Sequence, residues 1–133
     1  RYLFAMAGIA DFEEAQRTLD KCLNEYRSQD APFLIGSMIA NRAIGAEVWA
    51  TVTERWEELT DHFTPDMHLM MCAGIPTLFS SEELAVRVHE FHDAHPLKMR
   101  QQSLLQLLDR LDRGVMFASR VRQDLSSTLT SLI

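Results

Sequence analysis

The sequence predicts an all-α protein, a right-handed helical solenoid of antiparallel helix pairs of the HEAT or armadillo kind. Three observations predict it. Apolar residues recur at helical spacing along most of the chain, and no stretch alternates convincingly with period two. Only a few residues separate one helix from the next, so neighbours pack antiparallel. Shorter and longer helices alternate, as in stacked helix pairs. No strict repeat accompanies them, so the solenoid rests on helix order and length.

Residues 2–9 read as a short apolar segment that ends near Gly8. Asp11 is a good N-cap for a second helix, which carries Phe12, Ala15, Leu19 and Leu23 on one face. Ser28-Gln29-Asp30-Ala31-Pro32 reads as a helix start. Asp30 can cap it, and Pro32 is tolerated in a first turn because its missing N–H would be unpaired there. Phe33, Leu34, Ile35, Met38 and Ile39 make this helix apolar on most sides, which predicts a central, buried position ending at Asn41.

The next helix has the clearest period. Trp49, Val52, Trp56, Leu59 and Phe63 are spaced 3, 4, 3, 4 and make one continuous stripe, with Glu54, Arg55, Glu57, Glu58 and Asp61 on the wet side. Thr64-Pro65-Asp66 stops it and starts a short helix that runs to about Ala73, closed by Gly74 and Pro76. Ser80 and Glu83 stand at capping-box spacing before a helix that buries Leu84, Val88 and Phe91 and ends at Pro96. The longest run is 98–124, with Leu104, Leu108, Leu111, Val115 and Ala118 as its stripe. Gly114 inside it costs about 1 kcal/mol against alanine. Residues 125–133 are a Ser/Thr-rich tail expected to fray.

Composition narrows the function. A chain of 133 residues is one ordinary domain, 47% apolar and 24% charged, which excludes wholesale disorder. No apolar run approaches the ~20 residues a membrane helix needs, so no membrane segment is expected. The net charge of −6 argues against nucleic acid as a partner. Residues 1–97 hold 7 basic and 16 acidic residues, a balance of −9, whereas residues 98–133 hold 6 and 3, a balance of +3. Either the basic last helix packs beside acidic ones or it faces an anionic ligand. The chain opens on Arg1-Tyr2-Leu3-Phe4 without a signal-peptide pattern, which reads as a segment of a longer multidomain protein. With Cys22 and Cys72 lacking a C-x-x-C partner, the expected setting is the cytoplasm.

Chemistry candidates are few. His89-Glu90-Phe91-His92 is one residue short of H-E-x-x-H; histidines at i and i+3 do not point the same way as a pair at i and i+4. With His95 the series could bind a metal, or all three could be structural. Met67, His68, Met70, Met71 and Cys72 could suit copper(I) or simply fill the core. Asp109 and Asp112 flank Arg110 and Arg113 as a solvated face. No nucleophile elbow, phosphate-cradling loop or carboxylate dyad is visible, so no catalytic or metal residue is assigned to this segment.

Several stretches together resemble a known family. Arg27-Ser28-Gln29-Asp30 is similar to the R-[ST]-Q-D helix start in the C-terminal domain of zinc aminopeptidases of the aminopeptidase N and puromycin-sensitive type, including the endoplasmic-reticulum aminopeptidases. Val48-Trp49 through Trp56-Glu57-Glu58-Leu59 resembles that family's A-W-x-F-x-x-x-N-W-x-x-L segment. Thr77-Leu78-Phe79-Ser80 with Glu90-Phe91-His92 resembles its L-F-S … F-F segment, and Tyr2-Leu3-Phe4-Ala5-Met6-Ala7 its Y-L-x-A-L-A. The helix from Leu104 to Phe117 resembles its closing helix. Arg55, Gly114 and Phe117 depart from the pattern, where the family has Asn, Asn and Trp.

The resemblance implies a non-catalytic helical solenoid that caps a catalytic domain of the same chain. Such a domain encloses the peptide chamber, selects substrate length and opens and closes. The zinc is implied for the parent enzyme, with no cofactor in this segment. Peptide substrates are the implied ligands. An arginine fork pairs with a peptide carboxylate in two bonds, which makes Arg100 the first candidate anchor and Arg27 the second, each against the alternative of a surface ion pair. The rival reading is a stand-alone helical-repeat adaptor that binds another protein in its concave face. A His/Met metal-storage bundle is a third.

Overall fold

The computed structural model describes residues 11–24 and 30–132. The apolar segment 2–9 and Arg27, Ser28 and Gln29 lie outside the described residues. Among the described residues every regular element is helical. They are α1 (Phe12–Asn24), α2 (Ala31–Ile39), α3 (Gly45–Glu54), α4 (Trp56–His62), α5 (His68–Met71), α6 (Glu82–Ala94) and α7 (Gln101–Leu132), with 3-10 turns at Pro65–Met67 and Ile75–Thr77. No helix of the described residues is long and apolar enough to cross a membrane.

Asp11 starts α1 as its sequence position predicts. Its Oδ1 accepts the Glu13 N–H at 2.9 Å, and Ala15, Thr18, Leu19 and Cys22 turn inward. The buried Thr18 hydroxyl donates to the Glu14 carbonyl at 2.9 Å, which offsets its burial.

The second helix, α2, is central. Seven of its nine residues are buried, and it packs against α1, α3, α5 and the second 3-10 turn. Phe33 is its exception, 44% exposed. A Cβ on Gly36 would lie 2.3 Å from the Met70 carbonyl oxygen, and one on Gly74 would lie 2.5 Å from the Gly36 oxygen. Backbone therefore meets backbone where α5 crosses α2, and only glycine fits. Asp30 does not cap through its side chain. Its backbone is already helical, and the helix begins instead with the Leu34 N–H on the Asp30 carbonyl at 3.1 Å.

The predicted stripe is buried along its whole length, from Trp49 at 4% exposed to Phe63 at 2%. Its helix is nevertheless two helices, broken at Arg55 (φ −104°, ψ 20°). The stripe survives because the break inserts no residue. Arg55 N–H still reaches the Thr51 carbonyl at 3.1 Å, and Leu59 N–H reaches the Arg55 carbonyl at 2.9 Å.

Pro65 stops α4 as predicted, and α5 is a single turn that ends before Ala73. The cap of α6 is Ser81, not Ser80: its Oγ accepts the Leu84 N–H at 3.1 Å. Ser81 has the extended backbone of an N-cap (φ −150°, ψ 154°), and Glu82 and Glu83 then fall in the first turn, beside the positive end of the helix dipole. Helix α6 ends at Ala94, ahead of Pro96.

The last helix, α7, starts after Arg100 and spans 32 residues, about 48 Å. Its front half buries Leu104, Leu108 and Leu111 against the second 3-10 turn and α6. It does not stop at Asp124. It continues to Leu132, and every residue from Arg120 to Leu132 is exposed.

Candidate functional site

Three histidines follow one another on α6 and its C-cap without converging. His89 faces α7, where its Nε2 lies 2.7 Å from Asp112 Oδ1. His92 points into the body and is 2% exposed. His95 stacks on Phe91 at 4.3 Å between ring centroids, its Nδ1 2.9 Å from the Phe91 carbonyl. Among the described residues no group of three His, Cys, Asp or Glu side chains is placed to hold a metal.

His92 sits in an aromatic enclosure. Trp56 and Phe91 meet it edge-on at 5.8 and 5.0 Å, and Trp49 is tilted at 6.3 Å. Trp49 Nε1–H donates to His92 Nε2 across 3.4 Å. Nε2 is therefore the acceptor and Nδ1 carries the proton. That Nδ1 is buried without a hydrogen-bond partner among the described residues. Burial, and then the nearby His95 and His89, push the His92 pKa down to about 4. It is a neutral packing residue. The sequence shows the tryptophan stripe and the histidine series separately, but nothing in it joins groups 43 residues apart.

The sulfur-rich segment is equally structural. His68 is 5% exposed, and its Nε2 lies 2.9 Å from both the Thr60 and Phe63 carbonyls, which ties down the end of α4. Met71 and Cys72 are core residues, 0% and 2% exposed. Burial pushes the Cys22 and Cys72 thiols up to about 12, so neither is a thiolate nucleophile at neutral pH.

Arg100 occupies the joint between α6 and α7. Its side chain is exposed and its φ is +62°, the one positive value at a non-glycine among the described residues. The carbonyl so turned accepts Ser103 and Leu104 N–H groups at 3.0 and 3.2 Å and starts α7. Its charge is felt by Asp66. The Thr64 hydroxyl, 2.5 Å away, is the main cause that holds the Asp66 carboxyl below its ordinary value, and the Arg100 charge adds to it. A pocket of about 190 Å³ opens nearby between α4 and the α6–α7 joint, lined by Trp56, Thr60, Asp61, His68, His95 and Lys98. Arg100 is not among its walls. Arg27 lies outside the described residues.

Arg55, a departure from the family pattern in the sequence, has a visible task. Its guanidinium meets Asp20 of α1 at 2.7 Å and Glu58 of α4 at 2.8 Å, at the break between α3 and α4. Sequence spacing shows the Glu58 pair at i+3, whereas the Asp20 pair needs the fold. Arg87 lies over the Trp49 ring, 5.9 Å from its centroid.

These groups can bind and brace. Among the described residues they do not assemble a nucleophile, a base and an oxyanion donor around one point. A family model described as the ERAP1-like C-terminal domain matches residues 1–113. Comparison with curated proteins and with solved structures gives no significant match.

Proposed function

The chain belongs to the ERAP1-like C-terminal domain family, and from that membership we propose that it is the closing helical part of a zinc aminopeptidase. In this reading the zinc and the catalytic groups belong to another domain of the parent enzyme. The segment encloses the peptide chamber, contributes to length selection and moves as the chamber opens and closes. The observation that carries the reading is the match over residues 1–113. The sequential packing of α2 on α1, α3 on α2 and α7 on α6 supports a stacked, solenoid-like arrangement. The two buried, unpaired cysteines support a reducing, cytoplasmic setting.

Arg100 is the proposed anchor for the far carboxylate of a peptide. It is exposed, it stands on a backbone joint and it lies near a pocket with Lys98 on its wall. Asp66 competes for its charge, so the anchor works only where a carboxylate outbids one exposed acid. In the enzyme that carries this domain, Arg100→Ala should lower kcat/KM for long peptides by about tenfold. Turnover of small amino-acyl substrates should stay unchanged. An unaltered length profile would remove Arg100 from the site. The membership reading has its own test, the intact mass of the native polypeptide, which should be several times the 15.2 kDa of this chain. A native mass near 15 kDa would instead favour the stand-alone adaptor.

A further inference from the structure

We propose that the pocket between α4 and the α6–α7 joint binds a free α-amino acid, with its ammonium toward α4 and His68 and its carboxylate toward Lys98. The inference stands apart from the aminopeptidase reading and from Arg100, which is not among the walls of this pocket. The key group is His68, a wall residue only 5% exposed. The Thr60 and Phe63 carbonyls beside its Nε2 can only accept, so Nε2 carries the proton and Nδ1 is the acceptor of the neutral ring. Among the described residues that Nδ1 has no hydrogen-bond partner. It is not sealed in either, because the fully buried side-chain polar atom without a partner among the described residues is His92 Nδ1. The free edge of the His68 ring therefore reaches a surface, and the ring lines this pocket. An unpaired acceptor on so deeply packed a ring calls for a donor.

The other polar walls repeat that demand. The Thr60 hydroxyl gives its proton to the Trp56 carbonyl at 2.8 Å and keeps its lone pairs. His95 Nδ1 gives its proton to the Phe91 carbonyl at 2.9 Å, which leaves Nε2 as an acceptor in the neutral ring. Asp61 adds a carboxylate. Against these acceptors stands Lys98, and among the described residues neither it nor Asp61 has an ion pair. Opposite charges that share a small cavity without pairing fit a ligand that carries both. A primary ammonium brings three N–H donors to the acceptors, and the carboxylate one bond away from its carbon meets the lysine. A metal ion is a poor occupant, since among the described residues no group of three His, Cys, Asp or Glu side chains is placed to hold one. The volume, about 190 Å³, sets the size. A cavity of about 150 Å³ admits benzene, so this one takes a molecule of roughly ten non-hydrogen atoms or fewer, such as leucine. Trp56 and Leu97 on the wall give its side chain apolar surface.

Calorimetric titration of the full chain with L-leucine should show one site with a dissociation constant on the order of 1 mM, as expected of ionic contacts in an open pocket. N-acetyl-leucine lacks the ammonium and leucinamide lacks the carboxylate, so each should bind about tenfold more weakly or worse. N-acetyl-leucine also imitates the last residue of a peptide, which separates this proposal from a peptide anchor. If it binds as well as leucine, the pocket reads a peptide end and the amino-acid proposal falls. Leucinamide binding as well as leucine would sink it too, because no carboxylate would then be read. Asp61→Asn and Lys98→Met should each weaken leucine binding by about fivefold or more. Both side chains are exposed, so the melting temperature of the unliganded chain should not move. Leucine binding unchanged in either variant would overturn the proposal, as would no binding up to about 20 mM leucine.

Discussion

The two halves of α7 are one continuous helix with two different surroundings. In front, Leu104, Leu108 and Leu111 are 0%, 3% and 0% exposed; behind, Leu125, Leu129 and Leu132 are 59%, 62% and 77% exposed. Both halves carry leucines at spacings of 3 and 4, so periodicity specifies the helix equally well in each. What differs is the neighbour. The second 3-10 turn and α6 stand against the front half, and no described element seats the rear. A periodic stripe thus predicts a surface that can be buried, and the rest of the chain decides whether it is.

The largest expected effect tests that contrast directly. Leu111→Ala should destabilise the chain by about 2–5 kcal/mol, since the emptied volume is walled by fixed neighbours. Leu125→Ala should change unfolding of the dilute chain by no more than about 0.5 kcal/mol. Urea unfolding of both variants at low micromolar concentration separates them. Equal losses would mean that the rear half is packed as tightly as the front, and the comparison would fall.

The same contrast explains what the sequence could disclose. The all-α class, the Asp11 cap, the Pro65 stop and the buried tryptophan stripe each rest on local rules, and each stands in the structure. Asp30 and Ser80 are good capping residues by type. One is displaced by a helical backbone and the other by its neighbour Ser81, a choice of one residue that spacing alone does not make. Arg55 breaks its helix while the hydrogen bonds on either side preserve the period, so the pattern conceals the break. The candidate site was less legible. The His89-Glu90-Phe91-His92 run looks like one cluster in sequence, yet its two histidines face different elements, and the true partner of His92 is Trp49. Arg100 could be singled out only by resemblance, while its positive φ and its proximity to Asp66 belong to the fold.

The packed region holds one flaw, and pH should expose it. His92 has a folded pKa of about 4, well below the value of about 6.5 for an exposed histidine. Above pH 6.5 both folded and unfolded chains hold it neutral, and its contribution to stability is complete. Between pH 6.5 and 4 only the unfolded chain takes up the proton, so stability falls as pH falls. Below pH 4 the loss is complete at about 3 kcal/mol. His92→Leu removes the titration and fills the Trp49–Trp56–Phe91 enclosure. The difference in unfolding free energy between this variant and the parent should therefore widen in the variant's favour from pH 7.5 to pH 4.5. A difference that stays constant with pH would show that His92 is not the group that titrates.

The smallest effect lies where the two halves meet. Gly114 is a poor helix residue, and alanine there should gain about 1 kcal/mol of helix propensity. The added Cβ would stand 3.0 Å from Phe79 Cδ2 and 3.3 Å from Phe79 Cβ and Cγ. Each contact is tighter than an unstrained one, so the ring must shift by a few tenths of an ångström. Phe79 is only partly buried, so its ring can turn on Cβ to relieve the 3.0 Å contact, and the contact at its Cβ asks a further small shift of the chain. The propensity gain should exceed that cost and leave Gly114→Ala about 0.5 kcal/mol more stable than the parent. Thermal unfolding of the dilute chain reads the sign. A loss of 1 kcal/mol or more would mean that Phe79 is clamped and that the packed region extends past residue 114. The boundary between the covered and bare halves of α7 would then lie a turn further along than the burial of Leu111 places it.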